Sequence, residues 1–152
     1  MSNPSLMRLF FTICASGFLL DQLTKYWARI VLKSQSLDFG LFRFDLVFNT
    51  GAAYGVFSDY TFFLLILGIA VIAYILLRIK TFVQTPFDAS AYGCLIAGAL
   101  GNTFDRLIFA KVTDFINIQI IPVFNIADTL INVGVIILLY QWLIHDRKNK
   151  TT

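Results

Sequence analysis

The sequence predicts a mainly α-helical membrane protein with four transmembrane helices and a small extracytoplasmic β-sheet or hairpin between helices 1 and 2. Apolar residues make up 58% of the 152 residues, well above the roughly 45–50% typical of soluble domains, and the mean hydropathy is +0.76. Four long apolar segments follow one another, and the connection between the first two alternates apolar with polar residues. We expect a single integral membrane domain over residues 1–152.

Each apolar segment approaches the ~20 residues that a helix needs to cross a bilayer core. The segments cover approximately Met7–Val31, Tyr60–Leu77, Phe87–Phe109 and Asn125–Ile144. Four crossings would place both termini on the same side of the membrane. The first segment lacks a small-residue cleavage site and precedes three others, so we interpret it as a retained helix and not as a signal peptide.

The basic residues do not by themselves decide which side holds the termini. Lys and Arg in short loops normally mark the cytoplasmic side, but with both termini inside the count is six on each side. Most basic residues on the other side have aspartates near them in sequence, whereas the Arg147–Lys150 cluster has almost none. We therefore predict that both termini are cytoplasmic.

The connection from residue 32 to residue 59 contains the predicted strand. Within Leu41–Phe48, the apolar residues Phe42, Phe44, Leu46 and Phe48 alternate with Arg43, Asp45 and Val47. A period of two is typical of a strand with one apolar face, and glycines in the following segment Asn49–Gly55 permit a turn. We expect a small sheet at the membrane surface, its apolar face towards lipid or a lipidic substrate.

The composition excludes several classes of function. The twelve Lys and Arg residues are spread along the chain, so we expect no nucleic-acid-binding face. His145 is the single histidine, and both cysteines lie in apolar segments, which leaves no materials for a Ser-His-Asp triad or a His-rich zinc site. We expect neither a metal nor another cofactor.

Two aspartates occupy places where an ionisable group is costly. Asp114 follows the third apolar segment within the hydrophobic run Val112–Ile116, and Asp128 lies on the first turn of the fourth. Ionisable groups at the edge of hydrocarbon are read by default as functional, although Asp128 would also interact favourably with the helix dipole. A short connection between the segments would bring the two carboxylates together.

Further polar residues share helix faces with these aspartates. The third segment places Gly98, Gly101, Asn102 and Asp105 on one face, and the fourth places Asn125, Asp128 and Asn132 on one face. The small residues permit close helix approach, as in Ala97-x-x-x-Gly101. Asn125 also occupies a suitable N-cap position.

Two pairs of charged residues indicate a polar network between helices. Asp21 and Lys25 are four residues apart, so they are expected to pair within the first helix. Asp105 and Arg106 are sequence neighbours and cannot face each other, so each needs a partner from elsewhere. Lys25 is a candidate partner for Asp105.

Two carboxylates held close together favour acid–base chemistry. Like charges in a low dielectric raise one pKa, so the pair would hold a single proton at neutral pH. The ionised member would take a proton from water as the water attacks a carbonyl, and the protonated member would support the oxygen and help to protonate the leaving amine. This predicts peptide hydrolysis without a metal or a covalent intermediate.

Five short motifs lie in register with the four apolar segments. They are Asp21-Gln22-x-x-Lys25, Asn49-Thr50-Gly51-Ala52-Ala53-Tyr54-Gly55, Gly98-Ala99-x-Gly101-Asn102-x-x-Asp105-Arg106, Val112-x-Asp114-Phe115 and Phe124-Asn125-x-Ala127-Asp128. In order and spacing the chain resembles the lipoprotein signal peptidases, also called the signal peptidase II family, over nearly its whole length. Thr113 and Tyr54 are departures from the usual family residues.

The resemblance implies an aspartyl endopeptidase of the bacterial cytoplasmic (inner) membrane, with its active site near the extracytoplasmic face. Such an enzyme removes the signal peptide from lipid-modified prolipoproteins, just before a cysteine that carries diacylglycerol. By motif position the resemblance implies catalytic roles for Asp114 and Asp128, substrate-binding roles for Asn49, Gly51, Asn102, Arg106 and Asn125, and structural support from Asp21, Lys25 and Asp105. It also implies membrane lipids as partners and globomycin as an inhibitor, and we expect a monomer.

Two other functions remain open. A non-enzymatic four-helix protein, such as a small proton-coupled transporter, would use Asp105, Asp114 and Asp128 as a proton relay. A relay would tend to place carboxylates at several depths, whereas the acids of these segments cluster towards one surface. The other possibility is an inactive lipid-binding relative, which only an activity assay separates from the enzyme.

Overall fold

The computed structural model describes residues 3–51 and 60–150, with side chains up to residue 144. Within these residues the chain is mainly helical and carries a small sheet, as the sequence predicts. The elements are α1 (Pro4–Val31), β1 (Leu37–Asp38), β2 (Arg43–Asn49), α2 (Tyr60–Leu77), α3 (Ile79–Phe82), α4 (Pro86–Phe109), β3 (Val112–Asn117) and α5 (Ile126–Lys150). The part of the second motif from Ala52 to Gly55, which includes Tyr54, lies outside the described residues.

Among the described residues, three helices are long and apolar enough to cross a membrane. They are α1, α2 and the Ile126–Ile144 part of α5. Many of their large apolar side chains point away from the protein, Leu23, Phe62 and Ile136 among them. The remaining long helix, α4, is less apolar because glycine, alanine and polar residues form much of its buried surface. A fourth crossing by α4 therefore stays a prediction.

Glycines allow α4 to pack closely against its neighbours α1 and α5. A Cβ atom at Gly98 would collide with the main-chain carbonyl of Ala127, and one at Gly101 would collide with the carboxylate of Asp21. The small-residue face predicted for this segment is therefore confirmed. Because Asn102 and Asp105 follow on the same face, close packing also buries them between helices.

Local sequence explains where α4 begins and ends. Thr85 accepts a hydrogen bond from the amide of Asp88, and the Asp88 carboxylate accepts one from the amide of Thr85, which forms a capping box. Pro86 follows at the first position, where no amide donor is needed. At the other end Ala110 adopts a left-handed φ of 54°, so the helix stops and the chain turns into β3.

The sheet is antiparallel with the strand order β1-β2-β3. The strand predicted from alternation is confirmed as β2, although it begins at Arg43, so Phe42 lies outside it. The third strand was not predicted. It pairs Asp114 with Val47 and Val112 with Asn49, so Asp114 belongs to a buried strand and not to the end of a helix.

The phenylalanines of the β2 segment do not share one environment. Phe44 packs against Trp27 and Phe115, whereas Phe42 and Phe48 are exposed. A shift in register between β2 and β3 falls between Phe44 and Val47, and such an irregularity changes which way the following side chains point. The predicted single apolar face is therefore divided into a packed part and an exposed part.

Candidate active site

The carboxylates of Asp114 in β3 and Asp128 in α5 both contact Asn125. The Asn125 side-chain amide donates a hydrogen bond from Nδ2 to Oδ1 of Asp114 over 2.6 Å. Its main-chain amide donates to Oδ2 of Asp128 over 3.2 Å. The structure thus brings together the two aspartates that the sequence singled out, across the short connection between β3 and α5.

Asn125 also caps α5. Its Oδ1 accepts a hydrogen bond from the amide of Asp128 over 2.9 Å, so the two residues bond reciprocally, as in a capping box. The N-cap role and the site role proposed for Asn125 are therefore compatible, because its oxygen serves the helix and its Nδ2 serves Asp114. Asn125 is 0% exposed, which fixes its orientation.

Asn102 of α4 connects Asp128 to the interior of the protein. Its Nδ2 donates to Oδ1 of Asp128 over 2.8 Å. Its Oδ1 accepts from the ammonium of Lys25 over 3.0 Å and from Nδ2 of Asn125 over 3.2 Å. The buried side-chain amides of Asn102 and Asn125 therefore contact each other. Asn102 also contacts the carboxylate of Asp128, and Asn125 contacts that of Asp114.

Asn49 and Gly51 form the side of the site next to β3. Asn49 donates from Nδ2 to Oδ2 of Asp114 over 2.9 Å and accepts at Oδ1 from the amide of Gly51 over 2.7 Å. Gly51 has a φ of +91°, a left-handed conformation that favours glycine. The turn at Gly51 thereby fixes the Asn49 amide that contacts Asp114.

The environment of Asp114 changes its acidity. Burial raises the pKa of Asp114 to about 6, and the nearby charge of Asp128 adds to the rise. Hydrogen bonds from Asn49 and Asn125 and the charge of Lys25 act in the opposite direction. A carboxyl group with such a pKa can gain or lose a proton near physiological pH, which suits acid–base chemistry.

A cluster of buried charged side chains, formed by Asp21, Lys25 and Asp105, adjoins the site. Lys25 is 0% exposed and its ammonium lies 2.9 Å from Oδ2 of Asp21 and 3.5 Å from Oδ2 of Asp105. The predicted pairing of Lys25 with Asp21 and its candidate pairing with Asp105 are both confirmed. Asp105 also accepts from the amide of Thr113 over 2.9 Å, and Asp21 from the amide of Ala127 over 2.8 Å. The two acids therefore fix the start of β3 and the start of α5.

Arg106 differs from its neighbour Asp105. Its Nη1 lies 3.4 Å from the main-chain oxygen of Asn102 in the same helix, and its Nε is buried without a hydrogen-bond partner among the described residues. Within the described part of the chain, no residue of another element forms a hydrogen bond or a close ion pair with Arg106, so the predicted direct contact is not found there. Its charge interacts with those of Asp128 and Asp114, so it lies beside the pair.

The sequence did not single out Arg29. Its Nη1 donates to Oγ1 of Thr113 over 2.9 Å and lies 3.7 Å from Oδ1 of Asp105. The signal for Arg29 was its position four residues after Lys25, on the same helix face. Asn132, predicted to face the site with Asn125, is exposed.

Comparisons with known proteins show which family this chain is similar to. The family model described as signal peptidase (SPase) II matches residues 13–144, which include all the site residues above. Among curated relatives, the lipoprotein signal peptidase of Synechocystis sp. is 36% identical over 143 residues, covering 87% of this chain and 86% of the relative. That of Gloeothece citriformis is 39% identical over 139 residues, covering 87% of each. That of Dehalococcoides mccartyi is 36% identical over 151 residues, covering 95% of this chain and 94% of the relative.

Two solved structures of a bacterial membrane enzyme, obtained by the in meso method, are similar in fold. The first aligns with a TM-score of 0.79 and 31% identity, covering 93% of this chain and 90% of that chain. The second aligns with a TM-score of 0.81 and 31% identity, covering 88% of this chain and 92% of that chain. The similarity therefore extends over most of the chain.

Proposed function

This chain belongs to the signal peptidase II family, and we propose that it is an intramembrane aspartyl endopeptidase that removes the signal peptide from diacylglyceryl-modified prolipoproteins. The observation that carries the proposal is the convergence of Asp114 and Asp128 on Asn125, whose side chain meets Asp114 and whose main-chain amide meets Asp128, with Asn102 as a further donor to Asp128. Four amide donors from Asn49, Asn102 and Asn125 meet the two carboxylates. A fixed pair of carboxyl groups can supply both the base and the acid for hydrolysis by activated water.

In the proposed active state the pair holds one proton, which we assign to Asp114. Burial raises its pKa to about 6, and Asp128 then serves as the ionised base. Because each carboxylate accepts two hydrogen bonds from neighbouring amides, both are held in place before the substrate arrives. Such preorganisation lowers the barrier because no reorientation is needed during the reaction.

The reaction proceeds in two steps. Asp128 takes a proton from a water molecule as the water oxygen forms a bond to the carbonyl carbon of the scissile peptide, and the Asp114 proton hydrogen-bonds to the carbonyl oxygen. In the second step the C–N bond breaks and the proton held by Asp128 moves to the leaving amine of the lipidated cysteine. The signal peptide leaves with a new carboxyl group, and both aspartates return to their starting states.

Substrate binding is assigned to the residues around the pair, namely Asn49, Gly51, Asn102, Arg106 and Asn125. Arg106 supports this assignment most directly, because its buried Nε finds no hydrogen-bond partner within residues 3–51 and 60–144. A peptide carbonyl of the substrate would be a suitable acceptor. Structural support is assigned to Asp21, Lys25 and Asp105. Asp105 accepts from the main chain at the start of β3, and Asp21 accepts from the main chain at the start of α5.

We further propose that α4 is the fourth transmembrane helix, because it packs against the three spans α1, α2 and α5. With both termini cytoplasmic, the sheet and the pair lie near the extracytoplasmic face of the bacterial inner membrane. The protein acts as a monomer in contact with membrane lipids, and globomycin is its expected inhibitor. A proton-coupled transporter is less well supported, since Asp105 and Asp128 are linked through Lys25 and Asn102 in a single network.

Purified protein in liposomes tests the function directly. A diacylglyceryl-modified prolipoprotein should be cut immediately before the modified cysteine, globomycin should prevent the cut, and the same precursor without diacylglycerol should be a poor substrate. The matched control is Arg8→Gln, a change outside the site near the first residues of α1, which should cleave normally. Absence of cleavage together with proton flux through the liposomes would favour the transporter instead.

A further inference from the structure

Lys25 is a fully buried ammonium that contacts three polar side chains. Its Nζ lies 2.9 Å from Asp21, 3.5 Å from Asp105 and 3.0 Å from Oδ1 of Asn102. An ammonium carries three donors and no acceptor. The Asp21 contact lies within α1, and the Asp105 contact joins α1 to α4. The third contact reaches a residue of α4 that bonds directly to Asp128.

The third contact determines how the Asn102 amide is oriented. Because Lys25 can only donate, the amide end that faces it must be the oxygen. The NH₂ end must then face the other way, where it donates to Oδ1 of Asp128 over 2.8 Å. With the amide reversed, two donors would face each other at Lys25 and two acceptors would face each other at Asp128, which is strongly unfavourable in a buried site.

The same oxygen also constrains Asn125. Oδ1 of Asn102 accepts from Nδ2 of Asn125 over 3.2 Å, and that Nδ2 also donates to Asp114 over 2.6 Å. A chain of contacts thus runs from the Lys25 ammonium through two amides to both carboxylates. Lys25, Asn102 and Asn125 are all buried, so the side chains that form this series of contacts have little freedom to move.

We propose that Lys25 is a positioning residue for catalysis, whose ammonium orients the Asn102 amide so that its NH₂ group meets Asp128 and its oxygen meets Asn125. The inference rests on the proposed function of the aspartate pair and adds a role to the structural support assigned to Lys25. Lys25 does not touch the substrate in this account. It acts through Asn102, and its removal should therefore change turnover more than substrate binding.

A double-mutant cycle separates this role from simple support of the fold. The variants are Lys25→Met, Asn102→Ala and the two combined, with kcat and KM measured per folded molecule on a diacylglyceryl-modified prolipoprotein. If Lys25 acts through Asn102, each single change should lower kcat by about 10- to 100-fold, the scale expected for misplacing a reacting group by ~1 Å. The double variant should then be no worse than the poorer single variant.

The pH profile gives a second reading, which reports the effect of the Lys25 charge on Asp114. Lys25 contacts the carboxylates of Asp21 from α1 and Asp105 from α4, and its charge acts on Asp114 from β3. Arg29 from α1 also lies near Asp105. The charge of Arg106 from α4 interacts with Asp114 and with Asp128 from α5. The Lys25 charge opposes the rise in the pKa of Asp114, so Lys25→Met should move the inflection of the profile above about pH 6. Lys33→Met is the matched control. It removes an exposed lysine that follows the C-terminal end of α1, and it should change neither kcat nor the pH profile.

Multiplicative losses in the cycle, or a parental kcat and pH profile for Lys25→Met, would overturn the positioning role. If Lys25→Met fails to fold, Lys25→Arg takes its place in the cycle, because a guanidinium keeps the charge but cannot place one nitrogen among these three oxygens. The parent protein is measured beside every variant. If the parent does not cleave the substrate, the proposed function fails. If the parent cleaves and the losses are multiplicative, only the positioning role of Lys25 fails.

Discussion

The side-chain amide of Asn125 donates to Oδ1 of Asp114 over 2.6 Å, while its oxygen accepts from the first turn of α5. One residue therefore links the strand that holds one aspartate to the helix that holds the other. The two contacts use different atoms of the same amide, so substitutions can separate them.

Asn125→Ser should retain the cap and lose the contact with Asp114, whereas Asn125→Ala should lose both. Loss of an N-cap costs about 0.5–2 kcal/mol, so the alanine variant should melt at a lower temperature than the serine variant. Both variants should cleave slowly, because neither has a side-chain NH₂ group. Thermal melts and turnover on the two purified proteins check this, and a serine variant with parental kcat would remove Asn125 from the site.

The raised pKa of Asp114 predicts a pH-dependent rate. If Asp114 must hold the proton of the pair, kcat/KM should fall as the pH rises through about 6, because a smaller fraction of the enzyme then carries that proton. A rise through the same range would instead make Asp114 the base. A flat profile between pH 5 and 8 would show that Asp114 does not titrate in the reaction.

The same group should change stability with pH in a defined direction. The folded state binds the Asp114 proton more tightly than the unfolded chain, whose carboxyl keeps the ordinary value of 3.8. The stabilising contribution is therefore complete below about pH 4 and is lost as the pH rises through about 6. Melting curves of the parent in detergent, relative to Asp114→Asn, should show the parent losing stability over this range.

Asp105 and Arg106 should respond differently to substitution. Asp105 is 0% exposed and contacts Lys25 and the amide of Thr113, so Asp105→Ala leaves a buried ammonium with fewer partners, at a cost of roughly 3–5 kcal/mol. Arg106→Ala breaks one 3.4 Å contact within its own helix, so it should mainly reduce cleavage and globomycin binding.

Thermal melts and turnover on the two variants decide between these roles. Asp105→Asn is the matched control, since its oxygen can still accept from the amide of Thr113, and it should melt between the parent and the alanine variant. A stable but inactive Asp105→Ala protein would place Asp105 in the catalytic set.

Gly51→Ala should reduce activity more than Gly40→Ala. Both glycines have positive φ, +91° and +85°, so each alanine costs about 1–2 kcal/mol in the left-handed region. A Cβ at Gly51 would also meet the side chain of Leu64, whereas at Gly40 no atom of the described residues lies within 4 Å of such a Cβ. Displacement of the Gly51 turn should move Asn49 away from Asp114. Equal turnover in the two variants would show that the turn does not hold Asn49 in place.

The sequence predicted the parts of this structure that depend on spacing along a helix. The four-residue spacing of Asp21 and Lys25 gave their ion pair, and the glycines at 98 and 101 gave the close helix contacts. Hydrophobic runs gave the helix positions to within a few residues, apart from the longer C-terminal end of α5.

The parts that depend on tertiary contacts were not predictable. The strand β3 is six residues long and directly follows a helix, so its apolar residues read as the continuation of a membrane segment. The orientation of Asn102 depends on how α1 and α5 pack against α4, which no local pattern encodes. Phe42, Phe44 and Phe48 have the same period, but an irregular register and contacts with Trp27 and Phe115 leave Phe44 partly buried and the other two exposed.

The measurement that tests the aspartyl mechanism most directly is cleavage of a diacylglyceryl-modified prolipoprotein by purified Asp114→Asn and Asp128→Asn variants. Each variant should insert and fold, and each should lose at least the ~10²–10⁴ in rate that acid–base assistance typically contributes. Near-normal turnover by either correctly folded variant would contradict the role of the carboxylate pair.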